Sequence, residues 1–181
     1  LYAARSRRSW GIGDLSDLQR LARWSRESGA GSLLLNPLCA ATPASPLEAS
    51  PYFPSSRRFR NPLYIDIDAI PGVEELDLDT LRSEARRLNA DRRIDREAVF
   101  RWKMAALERV WSGGRDEEAL DRFCRAAGES LRVFATFCAL AERLGADWRK
   151  WPAEYQRPEL AAVQRFAESN AARVRFHMWL Q

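Results

Sequence analysis

Apolar residues near the start of the chain recur every three or four positions, which predicts one buried face of a helix. Asp14 stands before the stripe as a candidate N-cap, and Asp17 follows three residues later, which is the spacing of a capping box. Gly29 comes after the last apolar position, where glycine commonly ends a helix. The stripe consists of Leu15, Leu18, Leu21, Ala22 and Ser25.

Short apolar runs flank this helix on both sides. Residues 31–35 read Gly-Ser-Leu-Leu-Leu, which is typical of a strand buried on both faces. Residues 1–4 resemble the end of an earlier strand, and a glycine turn at residues 11–13 leads from it into the helix. Strand, helix and strand in this order predict a βαβ unit of a parallel sheet. The alternating run at residues 63–67 predicts one more strand.

From residue 73 onward the hydrophobic period is helical. Gly113 and Gly114 mark one break between helices, and Gly128 is a candidate for another. Pro158 suits the first position of the last helix, because proline lacks an N–H that would be unpaired there anyway. The predicted helices span residues 74–88, 95–111, 117–144 and 158–181, with a loop at residues 148–157.

Composition narrows the class of protein. The 181 residues are 46% apolar and 30% charged, as in a folded globular chain. No apolar run approaches the roughly 18 residues that a membrane-spanning helix needs, so we expect no membrane partner. The net charge of +4 comes from arginines that alternate with acidic residues, whereas a nucleic-acid-binding surface usually clusters its basic residues. Because the sequence begins at Leu1 and ends at Gln181 inside a helical pattern, we expect a fragment of a longer protein.

Few side chains here suit metal or triad chemistry. The odd number of cysteines, without a CxxC motif, predicts neither a disulfide framework nor a zinc site. Cys124 and Cys138 fall on the apolar face of a predicted helix and are expected to be small core residues with reduced thiols. His177 is the single histidine, which disfavours a Ser-His-Asp or Cys-His triad within this chain. Reduced thiols favour a cytoplasmic location.

The segment that most suggests binding is the long loop at residues 39–62, which is rich in proline and aromatic residues. Pro51 and Pro54 restrict the backbone on either side of Tyr52, so its ring could be held with little entropy left to lose. A rigid aromatic ring offers an apolar platform for the C–H face of a sugar. The same ring could equally fill a small core within the loop, and the pattern alone does not separate these two interpretations.

Four blocks of sequence together resemble the amylomaltase (disproportionating enzyme) family of 4-α-glucanotransferases. They read LYAARSRRSWGIGDLSDL, LLLNPL, SPYFPSSRRFRNPLYIDI and RFHMWLQ, in order along the chain. The resemblance implies an α/β fold, namely a fragment of a (β/α)8 TIM barrel that holds the first two strands and a mostly helical insertion. Residues 1–72 would carry the first βα units with the substrate loop 39–62, residues 73–157 the helical insertion, and residues 158–181 a helix that leads back to the barrel.

Members of this family transfer α-1,4-glucan segments between maltodextrins by a retaining mechanism with two carboxylates. The resemblance implies that these catalytic carboxylates lie outside residues 1–181, in the remainder of the same polypeptide, and that the fragment alone is inactive. It implies an α-1,4-glucan substrate, no cofactor and no metal. Asp95 stands in an Arg-Ile-Asp sequence like that around the family nucleophile, but it precedes a helix, and we expect it to be an N-cap.

Within this chain the resemblance implies substrate binding only. Tyr52 matches the active-site tyrosine that stacks against a glucose ring. Ser50 and Asn61 match its recurrent neighbours and are expected to shape the loop, while Trp10 lies in the loop after the first predicted strand. One alternative is a non-catalytic glucan-binding or helical interaction module that uses the same Tyr52 platform. A less favoured alternative is an arginine-rich nucleic-acid-binding domain, and we expect no nucleic-acid partner.

Overall fold

Helices account for most of the regular structure in the computed structural model, which describes residues 1–114 and 116–181. The chain divides into two units, each with its own hydrophobic core. The first unit comprises Leu1–Ala41 and Glu48–Gly114, and the second comprises Thr42–Leu47 and the chain after Gly114.

The helices of the first unit are α1 (Leu15–Glu27), α2 (Asp79–Arg87) and α3 (Arg96–Gly113). The helices of the second unit are α4 (Glu117–Ala127), α5 (Glu129–Leu144), α6 (Ala161–Ser169) and α7 (Ala171–Trp179). A two-stranded antiparallel sheet, β1 (Cys39–Ala40) with β2 (Ser56–Arg60), lies in the first unit. The described residues are therefore mostly helical with one small sheet.

The two predicted parallel strands are not formed among the described residues. Residues 1–4 contain a turn, which the Ala4 N–H closes by donating to the Leu1 carbonyl at 3.1 Å. Residues 31–35 pair with no strand, and Leu33 and Leu34 are 37% and 97% exposed instead of buried on both faces. A parallel strand is buried only between neighbouring strands and the helices that cover them, and the described residues supply neither for this segment.

The strand predicted at residues 63–67 is also wrong. Two 3-10 turns occupy residues 62–64 and 67–69 instead. The side chains of Asn61 and Asp66 begin these turns by accepting the backbone N–H two residues ahead, at 3.0 and 3.1 Å. Such local bonds offer the backbone an alternative to strand pairing, which a hydrophobic alternation pattern does not register.

The predicted helix caps and one predicted break are confirmed. Asp14 accepts the Asp17 N–H at 2.8 Å, and the Asp17 carboxylate accepts the Asp14 N–H at 3.2 Å, which completes a capping box before α1. Asp95 caps α3 by accepting the Ala98 N–H at 3.0 Å. Gly128 separates α4 from α5.

Two helices begin later than their patterns predicted. A 3-10 turn occupies residues 73–75, so α2 begins at Asp79 and not at Glu74. Pro158 lies in a turn before α6 and is not its first residue. The predicted final helix is two helices, because the Asn170 side-chain amide donates to the Phe166 carbonyl at 2.8 Å where α6 ends.

The core of the second unit lies between α5, α6 and α7. Cys138 is buried on α5 as predicted, whereas Cys124 on α4 is half-buried. His177 is buried on α7 with its Nε2 3.2 Å from a Glu142 carboxylate oxygen. The main buried side chains of this core are Leu140, Trp151, Val163, Phe166 and Val174.

The first unit contains a fully buried lysine. Lys103 of α3 donates from Nζ to the carbonyls of Leu63 and Ile65, at 2.7 Å each. Burial lowers the pKa of Lys103 to about 8, although the nearby negative charges of Asp14 and Asp66 oppose this shift. The helix α3 thereby holds the turn that follows the long loop.

The glycine turn before α1 is explained by close packing. Gly11 has a left-handed φ of +80°, and a Cβ there would lie 2.7 Å from Val99 Cγ2. Gly13 donates its N–H to the Ala4 carbonyl at 2.6 Å, and a Cβ there would lie 2.8 Å from that oxygen. Both glycines therefore allow the backbone to pack closely in the core of the first unit, and Gly11 also allows the left-handed conformation of the turn.

Replacing Lys103 by Met should change how stability depends on pH. The pKa of Lys103 is about 8 in the folded chain and 10.5 in its ordinary state, so the folded protein loses this proton first as the pH rises. Wild type should therefore gain up to about 3 kcal/mol of unfolding free energy relative to Lys103→Met between about pH 8 and pH 10.5. Urea unfolding at both pH values measures this gain. Lys150→Met is the matched control, because Lys150 is exposed. The prediction would be contradicted if the difference in unfolding free energy between wild type and Lys103→Met stayed as constant with pH as the difference for Lys150→Met.

Replacing Gly11 by Ala should destabilise the protein by about 2–4 kcal/mol. A Cβ in the left-handed region costs about 1–2 kcal/mol, and overlap with Val99 adds about 1–3 kcal/mol. Gly31→Ala is the control, because nothing lies within 4 Å of the Cβ position at Gly31. Urea midpoints at neutral pH compare the two variants, and equal midpoints would refute this account of Gly11.

Candidate functional site

Backbone hydrogen bonds hold both ends of the long loop within the first unit. The Asn61 N–H donates to the Leu38 carbonyl at 3.0 Å, and β1 pairs with β2 just beside this bond. Ser55 donates its N–H and its hydroxyl to the Ala40 carbonyl, at 2.9 and 3.0 Å. The part of the loop between residues 48 and 62 is thereby fixed to the scaffold at its base.

Ser50 acts on the loop backbone. Its hydroxyl accepts the Tyr52 N–H at 3.3 Å, and its carbonyl accepts the Phe53 N–H at 3.4 Å. Its own N–H donates to the Glu48 carboxylate at 2.7 Å. These bonds form a tight turn with Tyr52 and Phe53 at its tip.

The Tyr52 ring lies on the surface of the first unit. Tyr52 is 58% exposed and Phe53 is 73% exposed, so neither ring fills a core within the loop. The Tyr52 hydroxyl accepts a hydrogen bond from Asn36 Nδ2 at 2.6 Å. The ring is therefore an accessible platform that is held at its far end by a residue from outside the loop.

Asn61 begins the 3-10 turn after the loop and lines a small cavity together with Ser50. Pro51, Tyr64 and Arg96 complete much of its wall. The cavity has a volume of about 20 Å³, which is room for a single water molecule and not for a sugar ring.

Trp10, unlike Tyr52, is buried. It has no exposed surface, and its Nε1–H donates to the Asp68 carboxylate at 3.1 Å. Asp68 also accepts from Arg82 and Arg86, at 2.8 Å each. Burial alone would raise the pKa of Asp68, but the hydrogen bonds from Arg82 and Trp10 outweigh it and leave the pKa lowered. In this chain Trp10 supports an ion-paired network beneath the surface.

Reasoning from the sequence missed two side chains that hold the Tyr52 ring and the turn after the loop, Asn36 and Lys103. Asn36 lies in the LLLNPL block, so the block that supports the resemblance already contained it. Lys103 follows Val99 by four positions and precedes Leu107 by four, which places it on the buried face of α3. That spacing was the available signal for a buried lysine.

Among residues 1–114 and 116–181, no group of three or more His, Cys, Asp or Glu side chains could hold a metal ion. No helix in that same part of the chain has both the length and the apolar character that crossing a membrane requires.

Known proteins resemble this chain over its whole length. The glycoside hydrolase family 77 model, described as 4-alpha-glucanotransferase, matches residues 1–181. A 4-alpha-glucanotransferase of Mycobacterium tuberculosis is 46% identical, over 100% of this chain and 27% of the relative. One from Haemophilus influenzae is 28% identical, over 100% of this chain and 30% of the relative.

A solved structure agrees with these matches. The crystal structure of amylomaltase from Corynebacterium glutamicum matches with a TM-score of 0.77 and 33% identity, over 99% of this chain and 25% of that one. The chain thus spans only about a quarter of the length of this structure and of the mycobacterial relative. Because the family model covers the chain from residue 1 to residue 181, the chain belongs to the 4-alpha-glucanotransferase family, glycoside hydrolase family 77.

Proposed function

We propose that this chain is part of the catalytic domain of a 4-α-glucanotransferase, whose complete polypeptide transfers α-1,4-glucan segments between maltodextrins. The observation that carries the proposal is the exposed Tyr52 ring, presented by a restrained loop in a chain that belongs to this family. We also propose a cytoplasmic location, which the free thiols of Cys39, Cys124 and Cys138 support.

In the proposed reaction, one carboxylate forms a glycosyl-enzyme intermediate and a second serves as acid and base. Both carboxylates would come from the remainder of the polypeptide. Tyr52 would stack on the apolar face of the glucose ring beside the bond that is cut, which orients this ring for attack. Ser50 and Asn61 would act through the loop backbone, since their side chains accept backbone N–H groups.

The proposed fold of the complete polypeptide is a (β/α)8 barrel, in which residues 1–4 and 31–35 would form the first two strands once neighbouring strands are present. Leu34 of the second predicted strand is 97% exposed, and α1 exposes Leu15, Leu21 and Trp24. So much exposed apolar surface indicates a missing partner. The remainder of the same polypeptide would cover it and supply the neighbouring strands. The division at residues 1–72, 73–157 and 158–181 belongs to this proposal.

No observation favours an arginine-rich nucleic-acid-binding domain. Several arginines are engaged in ion pairs within the chain. Arg175, for example, donates to Glu117 and Asp121 at 2.7 and 2.6 Å. The non-catalytic glucan-binding module differs from the proposal only in lacking transfer activity, so the experiments below separate the two.

Replacing Tyr52 by Ala in the full-length polypeptide should lower kcat/KM for maltotriose disproportionation by roughly 10- to 100-fold. The expected loss is the contact of an aromatic face with the sugar, worth about 1.5–3 kcal/mol. Folding should be retained, because the side chain is mostly exposed. Glucose release measures the activity.

Phe53→Ala is the matched control, because it removes an exposed aromatic ring from the same turn. Equal losses in Tyr52→Ala and Phe53→Ala would show that the turn as a whole matters, and not the Tyr52 ring. Unchanged transfer activity in Tyr52→Ala would show that the Tyr52 ring does not contact the glucan in the reaction.

The isolated chain of residues 1–181 should show no transfer, because the proposed carboxylates lie elsewhere in the polypeptide. Incubation with maltotriose, followed by detection of glucose and longer maltodextrins, tests this at the concentration at which the full-length polypeptide is active. If the isolated chain gave more transfer than buffer alone, the catalytic carboxylates could not all lie in the remainder of the polypeptide.

A further inference from the structure

A second residue controls the Tyr52 ring. Asn36 lies sixteen positions before Tyr52 and outside the 39–62 loop, yet its side-chain amide donates to the Tyr52 hydroxyl at 2.6 Å. We propose that Asn36 is a positioning residue that fixes the Tyr52 ring and directs the hydroxyl proton toward the bound glucan. This inference rests on the proposed function.

The Tyr52 side chain is restrained at both ends. At the backbone end, Pro51 limits the conformation, and Ser50 accepts the Tyr52 N–H at 3.3 Å. At the other end, Asn36 holds the hydroxyl. An exposed ring without the second restraint would sample several rotamers and would lose that freedom when the glucan binds. Asn36 therefore lowers the entropic cost of binding.

The hydrogen bond also sets the direction in which Tyr52 can donate. A phenolic hydroxyl has one proton and two acceptor lone pairs. The Asn36 N–H occupies one lone pair, so the proton stays available for a hydroxyl or ring oxygen of the glucan. Because hydrogen bonds in a chain polarise one another, accepting from Asn36 makes the Tyr52 hydroxyl a stronger donor.

The backbone around Asn36 is held independently of this side chain. Pro37 follows it directly, and the Leu38 carbonyl accepts the Asn61 N–H at 3.0 Å. Within residues 1–114 and 116–181, the bond to Tyr52 is the one hydrogen bond that the Asn36 side chain makes. Removing the amide should therefore act on Tyr52 and leave the path of the chain intact.

The test is a double-mutant cycle in the full-length polypeptide, with kcat and KM measured for maltotriose disproportionation. The four proteins are wild type, Asn36→Ala, Tyr52→Phe and the double variant. Asn36→Ala and Tyr52→Phe should each lower kcat/KM about 5- to 10-fold, which corresponds to about 1 kcal/mol of coupling. The double variant should be no worse than Tyr52→Phe, since Asn36 acts through a hydroxyl that Phe lacks.

Asn36→Asp tests the direction of the bond. A carboxylate can only accept, so it would take the Tyr52 proton and leave the hydroxyl unable to donate to the glucan. Asn36→Asp should therefore lose more activity than Asn36→Ala. Wild-type kcat/KM in Asn36→Asp would overturn the proposed direction.

Asn89→Ala is the matched control for the cycle. Asn89 also donates from its side-chain amide within the first unit, but to the Ser9 carbonyl, at 2.6 Å, and not to Tyr52. The fold-reduction in kcat/KM caused by Asn89→Ala should multiply with the fold-reduction caused by Tyr52→Phe when the two substitutions are combined. Non-multiplicative losses in this control pair would show coupling that is not specific to Asn36 and would overturn the inference.

The outcomes separate the inference from the proposed function. Suppose that wild type transfers glucan but the fold-reductions in kcat/KM from Asn36→Ala and Tyr52→Phe multiply in the double variant. Asn36 then acts on the path of the backbone and not through the Tyr52 hydroxyl, and only the inference fails. If Asn36→Ala keeps wild-type kcat/KM, the inference fails alone as well. If wild type shows no transfer, the proposed function fails, and this inference fails with it.

Discussion

A buried ammonium group holds the point at which the long loop rejoins the scaffold of the first unit. Lys103 of α3 donates to two successive turn carbonyls, those of Leu63 and Ile65. Burying a charge is costly, and the negative charges of Asp14 and Asp66 offset part of this cost. Without the lysine, two carbonyls in the core would lack their donor, so the position of this turn depends on α3.

The geometry at Tyr52 follows from this anchor through a short series of contacts. The turn held by Lys103 begins at Asn61, whose N–H is bound to the Leu38 carbonyl. Asn36 stands two residues before Leu38 and reaches the Tyr52 hydroxyl. A residue in the middle of a helix thus helps to place an aromatic ring at the surface.

The first unit exposes an unusual amount of apolar side chain. A folded chain rarely exposes a leucine as fully as Leu34 together with Trp24 and the leucines of α1. Matches to relatives extend over the whole chain, but they cover only about a quarter of the mycobacterial relative and of the amylomaltase structure. In the proposed barrel, the remainder of the polypeptide would bury this surface and bring the carboxylates to Tyr52.

Sequence alone determined the features that depend on neighbours a few residues apart. The caps at Asp14 and Asp95 and the break at Gly128 follow from local hydrogen bonds and backbone conformation, so they could be predicted. Tertiary structure decided the rest. Strand formation needs partners that no local pattern specifies, while the burial of Lys103 and the bond from Asn36 to Tyr52 join residues far apart in sequence. Such pairings arise only when the chain closes on itself, because one sequence pattern is compatible with many distant partners.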